Sequence, residues 1–188
     1  MFRDNLRKII QRQDLSDDQM AAMIDAIFSG TLSDALITAF MAALATKGET
    51  FEELAGAARA MRRRAGRIQA AAPAVVDTCG TGGDGLRTFN ISTTTAFVVA
   101  GCGVTVAKHG NRSVSSRSGS ADVLEAAGVR LDLTPAQVAQ CVRDCGVGFM
   151  FAPGHHGAMK HAIAPRRELG VRTLFNILGP LTNPAGVP

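Results

Sequence analysis

Two stretches of this chain combine residue types that could do chemistry together, and both suit an anion. The first, Asp77-Thr78-Cys79-Gly80-Thr81-Gly82-Gly83-Asp84-Gly85, follows a brief apolar run, Ala74-Val75-Val76. Glycines lack a Cβ, so successive backbone N–H groups can converge on one anionic group. Asn90-Ile91-Ser92-Thr93-Thr94 then supplies side-chain donors where the next helix is due to begin. A helix N-terminus adds free N–H groups and the positive end of its dipole. Ser92 has the chemistry of a Mg²⁺ ligand or a pyrophosphate contact. The second stretch, Lys108-His109-Gly110-Asn111-Arg112-Ser113-Val114-Ser115-Ser116-Arg117-Ser118-Gly119-Ser120, interleaves three cations with serines and glycines. A solvated basic loop could have that composition, but the interleaving suits a loop wrapped around phosphate oxygens. Two such stretches after two strands imply one shared anion site at the carboxyl edge of a sheet.

Better-known phosphate motifs fit less well. Gly80, Gly82 and Gly85 formally satisfy G-x-G-x-x-G, the dinucleotide-binding pattern. That pattern runs straight into a helix, whereas Leu86-Arg87-Thr88-Phe89-Asn90 intervenes here. It also wants an acidic residue roughly 20 positions on, for a ribose hydroxyl. The next strand ends instead in Lys108-His109, and a cation there suits a phosphate. No Gly-Lys-Ser/Thr follows the glycines, so the Walker pattern fails.

Positioning these stretches requires a scaffold whose elements are legible in the pattern. Phe2, Leu6, Ile9 and Ile10 fall on one helical face. Ser16-Asp17-Asp18-Gln19 is a capping box for a helix carrying Met20, Met23, Ile24, Ile27 and Phe28, stopped by Gly30. Ser33 caps a third helix with Leu36, Ile37, Phe40, Met41 and Leu44, ending at Lys47-Gly48. Thr50-Phe51-Glu52-Glu53 opens a fourth, through Met61. Arg62-Arg63-Arg64 suits the polar side of that helix end, where the dipole favours cations, with an interface or nucleic-acid role as the competing reading. The pattern changes around Ala70-Ala71-Ala72-Pro73. Strand-like runs at residues 74–77, 104–107 and 147–152 alternate with helical ones at 120–127 and, capped by Thr134-Pro135-Ala136-Gln137, up to Cys145-Gly146. That alternation predicts an α/β domain with a parallel sheet. The final residues, Asn183-Pro184-Ala185-Gly186-Val187-Pro188, are loop chemistry after about three strands, few for such a sheet, so the chain reads as truncated.

Composition sets outer bounds. With 46% hydrophobic and 19% charged residues, disorder over most of the length is excluded. No apolar run approaches a membrane span, and the charged Met1-Phe2-Arg3-Asp4 start does not suit a signal peptide. Cys79, Cys102, Cys141 and Cys145 lack framework spacing and suit reduced thiols in a cytoplasm. Cys141 and Cys145, one helical turn apart, read as packing residues, as do Met20, Met23, Met41 and Met61. His155, His156 and His161 have no zinc-spaced partners and read as loop residues. A net charge of +4 fits a polyanionic substrate and also allows weak nucleic-acid binding.

Taken together, the motifs are distinctive. Gly80-Thr81-Gly82-Gly83-Asp84, Thr88-Phe89-Asn90-Ile91-Ser92-Thr93 and Lys108-His109-Gly110-Asn111-Arg112 occur in the order and spacing of anthranilate phosphoribosyltransferases. Residues 115–122, Pro153-Gly154-His155-His156, Ala164-Pro165-Arg166-Arg167-Glu168-Leu169-Gly170 and Asn176-Ile177-Leu178-Gly179-Pro180-Leu181-Thr182-Asn183-Pro184 extend the resemblance over nearly the whole chain.

The resemblance implies a helical subdomain over residues 1–70, then the first part of an α/β phosphoribosyltransferase/nucleoside-phosphorylase-like domain over 71–188. The stretch around 170–185 would pack back on the helices. It implies transfer of a phosphoribosyl group from phosphoribosyl pyrophosphate (PRPP) to the amine of anthranilate, in tryptophan biosynthesis. Gly80, Gly83, Asp84, Thr88, Asn90, Ile91, Ser92 and Thr93 would hold PRPP, with Ser92 also on Mg²⁺. Lys108, His109, Gly110, Asn111, Arg112, Ser113, Val114, Ser115 and Ser116, with Ser120, would close over the phosphates, and Lys108 would stabilise the leaving group. Gly80, Asn111 and Arg166 would contact anthranilate, the guanidinium pairing with its carboxylate. An acidic Mg²⁺-binding pair would lie beyond Pro188, so activity of this chain alone is an open question. A cytoplasmic homodimer formed through the helices is expected. A nucleoside phosphorylase would carry a different lysine-serine-glycine loop, and a nucleic-acid-binding relative would not need the complete substrate set.

Overall fold

The computed structural model describes residues 1–70, 74–81, 89–113 and 118–187. The chain forms two compact units, one of Met1–Arg64 with His156–Thr182, the other of Ala65–His155 with Asn183–Pro188. The later chain in the first unit thus begins well before the expected residue 170, whereas residues 183–185 belong to the second unit.

The first unit is helical, and its leading helices begin where their caps dictate. After α1 (Phe2–Ile10), Ser16 accepts from the Gln19 amide and the Gln19 side chain accepts from the Ser16 amide, starting α2 (Asp17–Phe28). Ser33 caps α3 (Asp34–Lys47), and Thr50 accepts from the Glu53 amide at the start of α4 (Phe51–Arg64). Leu6 and Ile9 of α1 are buried with Ile24, Ile27, Ile37, Phe40, Met41 and Leu44, whereas Ile10, expected on the same face, is 63% exposed. The face is simply narrower than its sequence suggests. Gly56 lets α4 lie against the start of α2, since a Cβ there would sit 2.1 Å from the Asp17 carbonyl oxygen.

The later part of this unit comprises a 3₁₀ turn (Gly157–Met159), α9 (Lys160–Leu169) and α10 (Leu174–Leu181). Ala162, Leu174, Phe175 and Leu178 complete the same core. The arginine run is engaged here. Arg63 and Arg64 both bond Asp25, at 2.8 and 2.9 Å, and Arg62 donates to the Leu181 carbonyl. These contacts favour the helix-end reading over a nucleic-acid one.

The second unit holds three strands among the described residues. They are β1 (Val75–Val76), β2 (Thr105–Gly110) and β3 (Val147–Phe151), parallel and in the order β1-β2-β3. Helices α5 (Ile91–Gly101), α6 (Ser120–Ala126) and α7 (Pro135–Cys145) occupy the crossovers. The Thr134/Gln137 capping box sets the start of α7, and Gly146 in the left-handed region ends it. Ile68, Ala107, Val138, Met150 and Val187 form the core. The Pro153-Gly154-His155 stretch, expected as a turn, lies in the one-turn helix α8 (Ala152–His155).

One buried acid organises the helical unit. Glu53 is fully buried, and its carboxylate accepts from the Leu15 amide, the Thr50 amide and Lys47, each at 2.9 Å. Lys47 also bonds Asp14 at 2.7 Å. The carboxylate thus ties the α3–α4 turn to the segment ahead of α2. Removing one partner of a buried pair strands the other's charge and hydrogen-bonding groups. Glu53→Ala should therefore lose about 3–5 kcal/mol of unfolding free energy in urea. A loss below 1 kcal/mol would mean that the pair behaves as an exposed one.

Candidate functional site

The site forms where β1 and β2 end. Lys108, expected at the end of a strand, is inside β2 with His109 and Gly110, and only 2% exposed. Its Nζ donates to Thr78 Oγ1, just beyond β1, and to Ser92 Oγ, in the first turn of α5, at a long 3.4 Å each. Thr78 in turn donates to the Ser92 carbonyl at 2.8 Å, binding the β1 end to the helix start. No ion pair holds the ammonium among the described residues. Burial pushes the Lys108 pKa below the usual lysine range, against the pull of Cys79 and Asp77.

The start of α5 leaves some amides without an acceptor among the described residues. Asn90 stands at the N-cap, but its side chain caps no helix amide and accepts instead from the Thr93 hydroxyl. The first backbone N–H groups of a helix have no intrahelical partner and project along the axis. Ile91, Ser92 and Thr93 occupy that first turn; Ile91 is exposed and Thr93 buried. The Ile91 amide donates to the Phe89 carbonyl at 2.7 Å, so a buried cation, two hydroxyls and the Ser92 and Thr93 amides, which have no acceptor among the described residues, converge at one place.

Asp77 holds this edge together. Its carboxylate accepts from the Cys79 amide at 2.9 Å and the His109 amide at 3.1 Å through one oxygen, and from Asn183 Nδ2 at 2.7 Å through the other. Sequence reasoning assigned Asp77, Thr78 and Asn183 no role. A polar residue just after a short apolar strand was the only local hint for Asp77, and nothing local pointed to Asn183.

The second stretch folds onto its own helix. Asn111 Oδ1 accepts from the Arg112 amide, and the Asn111 carbonyl accepts from the Ala121 amide. Arg112 grips Glu125 with two bonds of 2.8 Å and Asp122 with one of 3.0 Å, and lies 5.8 Å from the Phe151 ring centre. Its charge is therefore directed to α6 here, not to the Lys108 edge. Asp122 also accepts from the Ser113 and Gly119 amides at 3.1 and 2.7 Å, drawing the two ends of the stretch together. Gly119 is required, because a Cβ would sit 2.4 Å from the Ser113 nitrogen. Gly110 packs under Phe149, and Ser120 begins α6 beside it.

Gly80 stays exposed just after Cys79. Gly83, Asp84, Thr88, Val114, Ser115 and Ser116 lie outside the described residues. Arg166 belongs to α9 of the helical unit, where its guanidinium stands 5.7 Å from the Phe175 ring centre. It has no ion-pair partner among the described residues. His155 bonds the Gly66 carbonyl through Nδ1 at 2.8 Å, a structural role. Among the described residues no group of three or more His, Cys, Asp or Glu side chains could hold a metal ion. Ser92 keeps a second lone pair beyond the one facing Lys108. That donor set fits a Mg²⁺ ion taking most of its ligands from phosphate oxygens and water, as this ion prefers.

A parallel sheet with an anion-seeking carboxyl edge, accompanied by a helical unit, has a recognisable counterpart. Residues 72–188 match the a/b domain of a glycosyl transferase family, and residues 3–65 match that family's helical bundle domain. The chain belongs to this glycosyl transferase family. Over 98% of its length it is 71% identical to the anthranilate phosphoribosyltransferase of Desulfosudis oleivorans, and over 99% it is 66% identical to that of Syntrophobacter fumaroxidans. It spans 55% of the length of each of these relatives. The solved anthranilate phosphoribosyltransferase of Thermus thermophilus matches with a TM-score of 0.90 at 45% identity, over 96% of this chain and 55% of that one. The Saccharomyces cerevisiae enzyme in complex with PRPP and Mg matches at 0.88 and 30% identity, over 97% of this chain and 55% of that one.

Cys79 is half-buried at this edge, and burial, with Asp77 beside it, pushes its thiol up to about 11. Only the thiolate alkylates. Iodoacetamide at neutral pH should therefore label the exposed Cys102 and Cys145 well before Cys79. Labelling of Cys79 at the same rate would mean that its surroundings are wetter and more cationic than described.

Proposed function

We propose that this chain supplies the pyrophosphate-binding edge of an anthranilate phosphoribosyltransferase. The observation that carries this is Lys108, a buried ammonium with no ion-pair partner among the described residues, facing two hydroxyls and the N-terminus of α5. A buried charge without a counter-charge is costly, so such a place favours an anionic ligand. The motif spacing and the relatives' names support PRPP as that ligand.

In the reaction, the anthranilate nitrogen forms a bond to ribose C1 while the bond from C1 to the pyrophosphate oxygen breaks. The electron pair leaves with pyrophosphate, and the nitrogen then gives its extra proton to solvent. An aryl amine is neutral near pH 7, so a strong general base is not required. Charge develops on the leaving oxygen, and the contribution of this chain is to offset it. Lys108, the Ser92 hydroxyl and the Ser92 and Thr93 amides would act there as preorganised donors. Mg²⁺, when bound, supplies further positive charge to the phosphate oxygens, and Ser92 is the described residue fit to hold it. Gly83, Asp84, Thr88, Asn90, Ile91 and Thr93 would complete the cradle after β1, and residues 109–116 with Ser120 the one that begins at the end of β2. Gly80 and Asn111 would contact anthranilate. Arg166, a half-buried cation without a carboxylate partner among the described residues, is a candidate for the anthranilate carboxylate. Self-association through the helices belongs to the same reading, supported by the exposed Ile10, and so does a cytoplasmic setting. Among the described residues no helix is long and apolar enough to cross a membrane.

Calorimetric titration of PRPP into the cooperatively folded chain, with and without Mg²⁺, should show saturable binding. Lys108→Ala should weaken it at least about tenfold, the loss expected for one charge-assisted contact. Arg166→Ala should leave PRPP binding unchanged and weaken anthranilate. A folded chain that binds no PRPP, or one indifferent to Lys108→Ala, would remove this edge from the reaction.

A further inference from the structure

The β1–β2 ladder ends at Val76 and Val106, yet β2 continues to Gly110. Backbone groups of residues two apart on a strand face the same side, so the Ala107 carbonyl and the His109 amide both look toward the side that β1 has vacated. Two side chains take its place. Asn183 Nδ2 donates to the Ala107 carbonyl at 2.9 Å, and the Asp77 carboxylate accepts from the His109 amide at 3.1 Å. The two are joined by the 2.7 Å bond from Asn183 Nδ2 to Asp77. Asn183 is itself 4% exposed, and its own oxygen accepts from the Ala185 amide at 2.7 Å. The backbone on either side of Lys108 is therefore gripped from outside the sheet ladder, by a residue 106 positions away from Asp77 in the chain.

We propose that Asp77 and Asn183 form a side-chain clamp that extends β2 past the end of β1 and sets the position of Lys108 for its polyanionic ligand. Both are positioning residues, acting through Lys108, and the inference rests on the proposed phosphate role of that lysine. Neither touches the Lys108 ammonium through a hydrogen bond. Asp77 needs both carboxylate oxygens, one for the Cys79 and His109 amides and one for Asn183. An amide at position 77 has a single acceptor oxygen and cannot serve both.

A simple charge argument predicts the opposite of the clamp. Removing a carboxylate near a polyanion site should tighten binding by Coulomb's law. The clamp predicts that Asp77→Asn weakens it, because the lysine is no longer held. Inorganic pyrophosphate would be titrated calorimetrically into the unmodified chain, Asp77→Asn and Asn183→Ala. Acetylation of Lys108 by acetic anhydride would be followed in parallel by mass spectrometry, relative to the exposed α9 lysine Lys160. The clamp predicts affinity about tenfold weaker in both folded variants, equivalent to one lost charge-assisted contact. It also predicts severalfold faster acetylation of Lys108. Equal or tighter binding with unchanged acetylation overturns the clamp and leaves the phosphate site standing. An unmodified chain that binds no pyrophosphate overturns the phosphate reading instead, and the acetylation rates then decide the clamp alone. If neither variant folds, amide hydrogen exchange in the unmodified chain decides: a protected His109 amide supports the clamp, and one that exchanges like an exposed loop amide overturns it.

Discussion

A lysine ammonium buried at the end of a β-strand, with no ion-pair contact among the described residues, is the constraint around which the α/β unit is arranged. Such a group is tolerated only where hydrogen-bond partners and a prospective anion offset its desolvation. Around Lys108 the offset is assembled from separate parts of the chain: Thr78 beyond β1, Ser92 in the first turn of α5, and the Asp77–Asn183 pair along the vacated side of β2. The sheet's parallel topology is what brings these together. Each crossover returns the chain to the same end, so strand termini and helix N-termini collect at one edge.

The helical unit solves a similar problem differently. Glu53 is as buried as any apolar core residue, but its charge is answered by Lys47 and two backbone amides, leaving no acceptor capacity aimed at a ligand. The contrast separates a structural ion pair from a functional ion. One is closed by its own neighbours; the other meets only two long hydroxyl contacts and has no ion-pair partner among the described residues. Arg112 falls on the closed side as well, its guanidinium shared between Asp122 and Glu125.

Much of this architecture was legible where the governing physics is local. Ser16 with Gln19 and Thr134 with Gln137 started helices at the residues where their capping boxes placed them, because a capping box involves only four consecutive positions. The anion chemistry after β1 was legible because glycine and hydroxyl residues crowd into a short stretch. By contrast α9 and α10 carry Pro165 and Pro180 inside them, and no helix was read there. Proline removes an amide and clashes with the preceding turn, so its presence argues locally against a helix that burial of Ala162, Leu174, Phe175 and Leu178 nevertheless stabilises.

By itself, then, the sequence determined the types of most elements, the starts of the capped helices, and a concentration of glycines, hydroxyls and cations in residues 77–94 and 108–120. Those properties follow from side-chain volume, periodicity and hydrogen-bonding capacity within a few residues. Only the tertiary structure decided that Lys108 is a buried strand residue and that Arg112 turns to α6. It also decided that residues 156–182 return to the helical unit, and that Asn183 reaches Asp77 across 106 positions. Each of those outcomes depends on which distant groups remain to satisfy a buried charge, amide or carbonyl, and that is settled only when the chain has closed on itself.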